Sequence, residues 1–347
     1  MLSDIQLRHF RCFDALDCEF ALGMNVFVGP NAQGKTSLLE AVCVLLRLQS
    51  PRVSKLAHAI QHGRRGFVLD GHFAQRHMQF YFSRERKKLA VDSVEQKSSL
   101  DYLDIGRVVY FANPDIELVR GMPDHRRKFL DFVAAQLDSS YRKTLRAYEK
   151  ALRSRNLLLK APRQNWREIS AFNAPLIETG NAIAKARTKL VTALQPHAEI
   201  AQRAISNSAE NLELQYVPGG GENFADALEK SRNEDLRLRQ TSAGPHRDDL
   251  AFFLNDTASE FASEGQQRSI ALSLKLAQAK LLEQRIGTPP LLLLDDIFGE
   301  LDVTRRNALL QNLPAGAQQL ITTTHVDWMA RDAGQLFHIA GGKLTKS

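Results

Sequence analysis

Three stretches of the chain differ in how apolar and polar positions alternate. Residues 1–30 space apolar side chains by short polar intervals and close with the apolar run Met24–Val28, a pattern typical of β-strands. Alternating stretches at 66–73 and 78–82 predict antiparallel strands to about residue 100, and the apolar run 107–111 predicts another buried strand. The N-terminal third of the chain is therefore predicted to be rich in sheet.

The middle of the chain has a helical pattern. Between residues 114 and 205 strand alternation disappears, and apolar side chains recur at helical spacing. One amphipathic stripe is made by Phe129, Leu130, Phe132, Val133, Leu137, Tyr141, Leu145 and Tyr148. We predict that residues 114–205 form a helical lobe inserted into a domain made of residues 1–113 and 206–347.

The last third returns to alternating helices and strands. The strand-like segment Leu212–Val217 ends at a glycine-rich turn, Pro218–Gly221. The predicted elements after it are a helix at 263–284, a strand at 291–294, a helix at 303–313 and a strand at 319–324. The predicted fold class is α/β, with a mixed sheet, additional antiparallel strands and the inserted helical lobe.

A glycine-rich turn joins the apolar run ending at Val28 to a helical stretch that starts at Thr36. Strand, turn and helix in this order are the context of a phosphate loop, because backbone N–H groups and the helix N-terminus converge on anionic oxygens. Gly29 and Gly34 permit the tight backbone, and Lys35 supplies a cation for the β- and γ-phosphates. The hydroxyl of Thr36 is offered to Mg²⁺. The residues predicted to bind ATP here are Gly29, Pro30, Asn31, Ala32, Gln33, Gly34, Lys35, Thr36 and Ser37.

Two adjacent carboxylates follow a strand of four leucines. Leu291–Leu294 is predicted to be buried on both faces and to deliver Asp295 and Asp296 at its C-terminal end. Ligands of open α/β sheets bind at that edge. Asp295 is the predicted Mg²⁺ ligand together with Thr36, since this ion takes carboxylate oxygens directly or through water. Asp296 is then predicted to orient or deprotonate the attacking water.

The segment Ala262–Arg268 opens a strongly helical stretch, and we call it the signature turn. Ser263 and Gly265 would form a second anion site at the helix N-terminus. A single chain has no need for two γ-phosphate sites, whereas in a dimer each signature turn could close over the other copy's ATP. A plain helix cap is the alternative interpretation of this turn.

The order and spacing of these motifs resemble those of ABC-type ATPases. The signature turn lies about 30 residues before the two aspartates, as it does in that class. The resemblance implies that Asp302 is an interface aspartate and that His325, after the threonine run 322–324, senses the γ-phosphate. An ordinary surface histidine is the alternative for His325.

The number of residues between the motifs distinguishes among kinds of ABC-type ATPase. About 260 residues lie between Lys35 and Asp295, too many for a compact transporter ATPase, but the helical insert shows no sustained heptads for long coiled-coil arms. The chain resembles the bacterial RecF family, DNA replication and repair proteins related to structural-maintenance-of-chromosomes heads. The resembling segments are 7–13, 29–41, 113–121, 126–131, 244–250, the signature turn and the double aspartate.

This resemblance implies an ATP-dependent homodimer that clamps double-stranded DNA near gaps or junctions. It implies cooperation with the mediator RecR and, indirectly, help in loading RecA, with weak, DNA-stimulated ATP hydrolysis as the release switch. Arg11 and Phe10 precede the phosphate loop in the same lobe and are candidates for holding the adenine. Two departures from the family pattern, Glu264 in the signature turn and His325, bear on the rate of hydrolysis.

Composition is that of a globular protein, with 44% hydrophobic and 24% charged residues. The start of the chain does not have the pattern of a secretory signal, and no apolar run reaches the roughly 20 residues needed to cross a bilayer. Cys12, Cys18 and Cys43 show no metal-binding spacing and are too few and too clustered for a disulfide framework, which favours buried, reduced structural thiols. We therefore expect a cytoplasmic, nucleoid-associated protein without a membrane role.

Net charge is +7, which is compatible with a polyanionic partner. The segment from Tyr141 to Glu168 contains nine Lys and Arg residues and two Glu residues. Its net charge, +7, therefore equals the net charge of the whole chain. The basic residues are Arg142, Lys143, Arg146, Lys150, Arg153, Arg155, Lys160, Arg163 and Arg167. Such a segment could neutralise DNA phosphates without reading sequence. The alternative is a solvated helical face.

Two other functions stay open from the sequence. An ATPase fused to a nuclease would need a further cluster of Asp, Glu and His ligands, and the roughly 45 residues after Asp302 offer none. A transporter motor would need a coupling surface for membrane helices, and the motif spacing argues against it. ATP turnover that rises with double-stranded DNA and not with membranes would separate these functions.

Overall fold

The computed structural model describes residues 1–207, 210–329 and 334–346. Contacts between Cα atoms divide the chain into two compact units. The first unit contains Met1–Pro114 and Gln278–Ser347, and the second contains Asp115–Ala277.

Residues 1–114 form strands and helices of the first unit. They are β1 (Leu2–Phe10), β2 (Phe13–Glu19), β3 (Met24–Val28), α1 (Lys35–Arg47), β4 (Gly66–Phe73), β5 (Arg76–Ser83), β6 (Lys87–Val91), β7 (Val94–Glu95), α2 (Ser99–Leu103) and β8 (Val108–Ala112). The strand predictions in this part of the chain are confirmed.

The second unit is mostly helical. Its elements are α3 (Glu117–Arg120), α4 (Pro123–Leu137), α5 (Ser139–Leu159), α6 (Trp166–Ser170), α7 (Asn173–Ile205), β9 (Leu212–Val217), α8 (Phe224–Lys230), α9 (Arg232–Leu238), β10 (Asp249–Leu254), β11 (Thr257–Ala258) and α10 (Glu264–Ile286), whose last turns belong to the first unit.

The chain then completes the first unit. Its last elements are β12 (Leu291–Asp295), α11 (Val303–Asn312), β13 (Gln319–Thr323), β14 (Gln335–Ala340) and β15 (Lys343–Lys346). The predicted helices and strands of this part are present, with ends that differ by one or two residues.

Two six-stranded sheets make up the first unit. One is antiparallel, in the order β2-β1-β4-β5-β6-β7. The other is mixed, in the order β15-β14-β3-β13-β12-β8, with β14, β3, β13, β12 and β8 parallel and β15 antiparallel to β14. The predicted α/β class, with a mixed sheet and added antiparallel strands, is confirmed.

The register of the mixed sheet brings the ends of several strands together. Asp295 at the end of β12 pairs with Ala112 of β8 on one side and with Thr322 of β13 on the other. Thr323 of β13 in turn pairs with Val28 of β3. Because these strands are parallel, the segments that follow β3, β12 and β13 all leave from one edge of the sheet.

Helix α1 is buried on nearly all sides because it contacts strands of both sheets. Apolar residues occupy most of Leu38–Leu46, and this run is buried throughout. The helix also contains a buried cation, Arg47, whose Nη1 donates to the carbonyl oxygens of Leu103 (2.7 Å) and Gly106 (2.8 Å). Helix α1, which follows the phosphate loop, is therefore held in place by packing and by the hydrogen bonds of the Arg47 guanidinium.

The amphipathic stripe of the second unit is divided between two helices. Helix α4 ends at Leu137, and Asp138 adopts an extended conformation (φ −143°) and caps α5 by accepting from the Ser140 N–H. Helix α5 packs against the long helix α7. The spacing of apolar residues predicts one continuous stripe across both helices, because a single extended residue, Asp138, does not interrupt the recurrence of apolar positions.

The contact boundary of the second unit lies at Ala277, whereas the predicted helical lobe ends at residue 205. The difference arises from a three-stranded antiparallel sheet, β11-β10-β9, which is formed by residues after 205. Helix α7 packs on β9, so these strands share the core of the helices.

Ion pairs that are at least partly buried connect elements of the second unit. Arg126 pairs with Asp249 through two bonds of 2.5 and 3.0 Å. Arg187 lies between Asp131 and Asp248, at 2.7 Å from each. These pairs join α4 and α7 to the segment that begins β10.

Arg155, counted above among the residues of a basic face, is fully buried. Its Nη1 donates to Asp235 Oδ2 and to Thr241 Oγ1, at 2.7 and 2.8 Å, and Asp235 is also fully buried. The assignment of Arg155 to a DNA-binding face is therefore wrong: its charge is neutralised inside the unit.

All three cysteines are free. Cys18 and Cys43 are buried, as expected, but Cys12 is exposed, so the expectation of a buried thiol is wrong for Cys12. In the part of the chain that the structure describes, none of the helices combines the length and the apolar character needed to span a bilayer.

We predict that Arg155→Gln lowers the free energy of unfolding by about 3–5 kcal/mol, because Asp235 would keep a buried charge without its partner. Arg153→Gln, two residues away on the exposed side of α5, should change it by less than about 0.5 kcal/mol. Urea unfolding of both variants measures the difference. Equal effects would contradict the buried pair.

Candidate nucleotide-binding site

The glycines of the predicted phosphate loop occupy positions where a side chain would clash. Gly34 caps α1 with φ 107°, and a Cβ there would lie 2.8 Å from the Phe13 ring and 2.9 Å from Cys12 Sγ. A Cβ on Gly29 would lie 2.2 Å from the carbonyl oxygen of Ile339. Ala32 also has a positive φ, 64°. The loop is thus a tight turn between β3 and the N-terminus of α1.

Lys35 holds its ammonium inside this turn. Its Nζ donates to the carbonyl oxygens of Gly29 (2.6 Å) and Pro30 (2.8 Å), and the residue is buried. Burial lowers the pKa of Lys35, and the charges of Asp296 and Asp295 oppose this shift. The arrangement places one cation where backbone N–H groups of a helix N-terminus also point, which suits an anion.

The remaining loop residues vary in exposure. Pro30, Asn31 and Ala32 are exposed, and Ser37 is half-buried. Gln33 is tied back to the sheet, since its Oε1 accepts from the Gly341 N–H at 2.6 Å.

Asp295 lies directly beside Thr36. The Thr36 hydroxyl donates to Asp295 Oδ1 at 2.9 Å, although the two residues are 259 positions apart in sequence. Thr322 Oγ1 donates to the same oxygen at 2.7 Å, and the Tyr110 hydroxyl donates to Oδ2 at 2.6 Å. Burial raises the pKa of Tyr110 well above its ordinary value, and the adjacent Asp295 charge acts in the same direction. The phenol therefore stays a donor.

The predicted metal ligands, Thr36 and Asp295, are hard oxygen donors side by side at the phosphate loop. In residues 1–207, 210–329 and 334–346, no group of three or more His, Cys, Asp or Glu side chains is placed to hold a metal ion. One carboxylate and one hydroxyl fit Mg²⁺ that keeps waters and shares phosphate oxygens.

Asp296 has a left-handed backbone conformation, φ 52°. Its N–H donates to Thr322, at 3.1 Å from the carbonyl oxygen and 3.0 Å from Oγ1, and its carbonyl oxygen accepts from Asn113 Nδ2 at 3.2 Å. Burial raises the pKa of its carboxyl group, while the Lys35 charge opposes the shift. A raised pKa makes a carboxylate a better proton acceptor, and the role of Asp296 as the base stays a prediction.

His325 follows β13 at the same edge of the sheet and is exposed. Its carbonyl oxygen accepts from Thr323 Oγ1 at 2.8 Å and from Trp328 Nε1 at 3.0 Å. The backbone of His325 is thus held while its ring lies at the surface. Asp302 caps α11, with Oδ1 accepting from the Arg305 N–H at 2.8 Å.

Arg11 and Phe10, the adenine candidates, have other partners. Arg11 forms a two-bond ion pair with the buried Glu40 of α1, at 2.6 and 2.9 Å. Phe10 is fully buried, with its ring centroid 5.0 Å from that of Phe67. Phe10 therefore cannot stack on an adenine, because no face of its ring is open. The assignment of Arg11 stays a prediction.

The signature turn belongs to the second unit and forms a reciprocal helix cap. The Ser263 N–H donates to Gln266 Oε1 at 2.9 Å, and the Gln266 N–H donates to Ser263 Oγ at 3.3 Å. Ser263 is exposed, Gly265 lies in the first turn of α10, and Phe261 just before them is 78% exposed. The helix cap, which was the alternative interpretation of this turn, is present and faces outward, and the second anion site stays a prediction.

Glu264, a departure from the family pattern, is paired within its own helix. Arg268 Nη2 donates to Glu264 Oε1 at 2.9 Å, and this bond lowers the pKa of the Glu264 carboxyl group. The guanidinium therefore offsets part of the negative charge at the turn.

Sequence reasoning missed three residues that hold the acids: Tyr110, Asn113 and Thr322. Thr322 was noted only as part of a threonine run. Tyr110 lies in an apolar run that predicts a strand, and no spacing relates it to Asp295. The signal that could have pointed to Tyr110 is its single hydroxyl in an otherwise apolar predicted strand that ends at the same sheet edge.

The whole chain matches a known family. The model of the RecF/RecN/SMC N terminal domain matches residues 1–346. The DNA replication and repair protein RecF of Thermosynechococcus vestitus is 37% identical to this chain. The match covers 99% of this chain and 96% of that protein. RecF of Streptococcus suis is 34% identical over 100% of this chain and 99% of the relative. The chain belongs to the RecF family.

Solved structures agree with the RecF assignment. The recombination mediator protein RecF in the RecFOR pathway, solved with ATPrS, has a TM-score of 0.91 at 32% identity, covering 100% of this chain and 98% of that one. The corresponding ATP structure has a TM-score of 0.90 at 32% identity, covering 100% of this chain and 97% of that one. An SMC head bound to a ScpA domain shares the fold at a TM-score of 0.58 and 13% identity, covering 100% of this chain and 97% of that one.

We predict that Asp296→Asn keeps ATP binding but slows ATP hydrolysis by on the order of 100-fold or more, because the amide preserves shape and removes the base. Nucleotide titration and single-turnover hydrolysis measure the two effects separately. Glu300→Gln and His325→Ala, on the segments beside it, should keep more activity. A variant Asp296→Asn that hydrolyses ATP at the parent rate would transfer the role to Glu300 or His325.

Proposed function

We propose that this chain is an ATP-dependent recombination and repair mediator. It dimerises on ATP binding, clamps double-stranded DNA near gaps or junctions, and, with a RecR-type partner, promotes loading of RecA in the cytoplasm. Weak, DNA-stimulated hydrolysis of ATP would release the clamp. The RecF structures with ATP and ATPrS, and the RecFOR pathway to which they belong, support the nucleotide and the RecR-type partner.

One observation supports this proposal: the two predicted parts of an ATP site belong to two different compact units of the chain. The phosphate loop, with Lys35 and the adjacent Thr36 and Asp295, belongs to the first unit, and the exposed cap at Ser263 belongs to the second. Two copies would complete two such sites reciprocally, because each copy supplies one half to the other.

Within each site the residues have distinct tasks. Lys35 and the N-terminus of α1 hold the phosphates, and Thr36 and Asp295 hold Mg²⁺, which would neutralise charge on the β- and γ-phosphates. Asp296 accepts a proton from the attacking water. Ser263 and Gly265 of the partner copy close over the γ-phosphate, and His325 senses it from the edge of the sheet.

DNA binding is proposed for the second unit. Lys143, Arg146, Lys150 and Arg153 are exposed and recur at helical spacing on α5. Arg163 lies in the exposed segment after this helix. A row of cations on one helix face matches a run of phosphates and requires no particular base sequence.

Affinity for a short duplex should fall steeply with salt and depend little on its sequence. Changing Arg146, Arg153 and Arg163 to glutamine should reduce the slope of log affinity against log salt by about 3, one for each lost phosphate contact. Changing three exposed basic residues of the first unit, Arg84, Arg86 and Lys97, is the matched control. A slope that changes only in the control would move the DNA surface to the first unit.

Ser263→Arg tests the reciprocal site. We expect it to bind ATP as a monomer but not to dimerise, because the large side chain blocks the N-terminus of α10 and leaves the phosphate loop of its own chain untouched. Lys35→Met should fail to bind ATP, since the lysine faces the loop. Sedimentation with and without Mg·ATP measures both.

A mixture of the two variants makes this test sharper. In a mixed dimer one site combines both defects, while the other joins an intact phosphate loop to an intact signature turn. The mixture should regain part of the ATP-dependent association that each variant lacks alone. Normal dimerisation of Ser263→Arg would reduce the turn to a helix cap and refute the ATP-gated clamp.

A further inference from the structure

Glu210 accepts hydrogen bonds from two glutamine side chains on two different helices. Gln266 of α10 donates from Nε2 to Glu210 Oε1 at 2.9 Å, and Gln202 of α7 donates from Nε2 to Glu210 Oε2 at 2.7 Å. Glu210 itself lies between α7 and β9. Its carboxylate therefore joins the end of α7 to the first turn of α10, all within the second unit.

This carboxylate determines the orientation of both amides. A glutamine side chain has one donor end and one acceptor end, whereas a carboxylate only accepts. Each glutamine must therefore turn its NH₂ group toward Glu210. As a result Gln266 Oε1 faces the Ser263 N–H at 2.9 Å, and Gln202 Oε1 faces the Ser273 hydroxyl at 2.8 Å.

The effect reaches the exposed hydroxyl of Ser263. In the reciprocal cap Ser263 Oγ accepts from the Gln266 N–H, so its own proton remains for a partner outside the helix. The other end of the relay is rigid, because Gln202 and Ser273 are fully buried. The buried side chains of Gln202 and Ser273 thus fix the exposed Ser263 through the carboxylate of Glu210.

We propose that Glu210 is a positioning residue for the signature turn. By fixing the amide of Gln266 it holds Ser263 in the conformation that docks on the ATP of the partner copy. This role rests on the ATP-dependent dimer proposed above, and it adds a residue that touches neither ATP nor the other copy.

The substitution Glu210→Gln keeps the size of the side chain and changes its bonding. The new amide can accept from one glutamine but presents NH₂ to the other, so one of them must turn and the cap of α10 is disturbed. Gln266→Glu places two carboxylates against each other. Glu213→Gln, on an exposed position of β9, is the matched control.

The double variant Glu210→Gln with Gln266→Glu restores every bond of the relay and keeps the net charge. The glutamine at 210 accepts from Gln202 and donates to the glutamate at 266, which accepts from the Ser263 N–H. A glutamate at this position of a cap is as suitable as a glutamine. Rescue by this exchange would assign the loss to the hydrogen bonds of the relay and not to the change of either side chain alone.

The readouts are ATP binding at a protein concentration below that of dimer formation, and sedimentation with Mg·ATP. Glu210→Gln and Gln266→Glu should each weaken the ATP-dependent dimer by roughly tenfold or more. Both should bind ATP as monomers within about twofold of the parent, because the phosphate loop is unchanged. The double variant should recover most of the dimerisation, and Glu213→Gln should behave as the parent.

Two results would overturn the role of Glu210. One is a parent that dimerises and a Glu210→Gln variant that dimerises equally well. The other is a double variant in which the two losses add. A third result concerns the proposed dimer. If the parent protein stays monomeric with Mg·ATP, the dimer is wrong and the positioning role falls with it. This outcome differs from the first two, because in those the parent protein dimerises.

Discussion

The buried carboxylate of Asp295 is the group on which the site of the first unit depends. A buried charge of this kind is tolerated only when hydrogen bonds satisfy it. Asp295 takes them from Thr36 at the start of α1, Thr322 of β13 and Tyr110 of β8, at 2.6–2.9 Å. The phosphate loop, the two neighbouring strands and the acid are therefore fixed by one set of bonds, and a change in any of them moves the others.

Strand order explains how a large insertion is compatible with such a site. Strands β8 and β12 are adjacent and parallel in the mixed sheet, although the whole second unit lies between them in sequence. The chain leaves the sheet after Ala112 and returns at Leu291 to the neighbouring position. A unit inserted at this point leaves the pairing of β3, β13 and β12 uninterrupted, so the phosphate loop and the acids form without it.

In the second unit, charge has two separate uses. The segments 126–131 and 244–250, which carry much of the RecF resemblance, contribute Arg126, Asp131, Asp248 and Asp249 to ion pairs that are at least partly buried. Their chemistry is needed for packing, because removal of either partner leaves a charge without compensation. The exposed cations of α5 lie at the surface, and they are the residues that we propose for contact with DNA phosphates. Arg155 shows that position on a basic segment does not decide between the two uses.

The sequence by itself determined the fold class, the family and the local elements of the site. Periodicity, the glycines at 29 and 34 and the run of leucines before Asp295 are local properties, and local geometry follows from neighbouring residues. It could not determine that Thr36 meets Asp295, that Tyr110 and Thr322 hold this acid, or that Glu210 orients Gln266. It also assigned Arg155 to the surface and Phe10 to the nucleotide, and both are buried. Only the tertiary structure decided these points, because a hydrogen bond between residues 259 positions apart depends on strand order and register, and neither leaves a periodic trace in the chain.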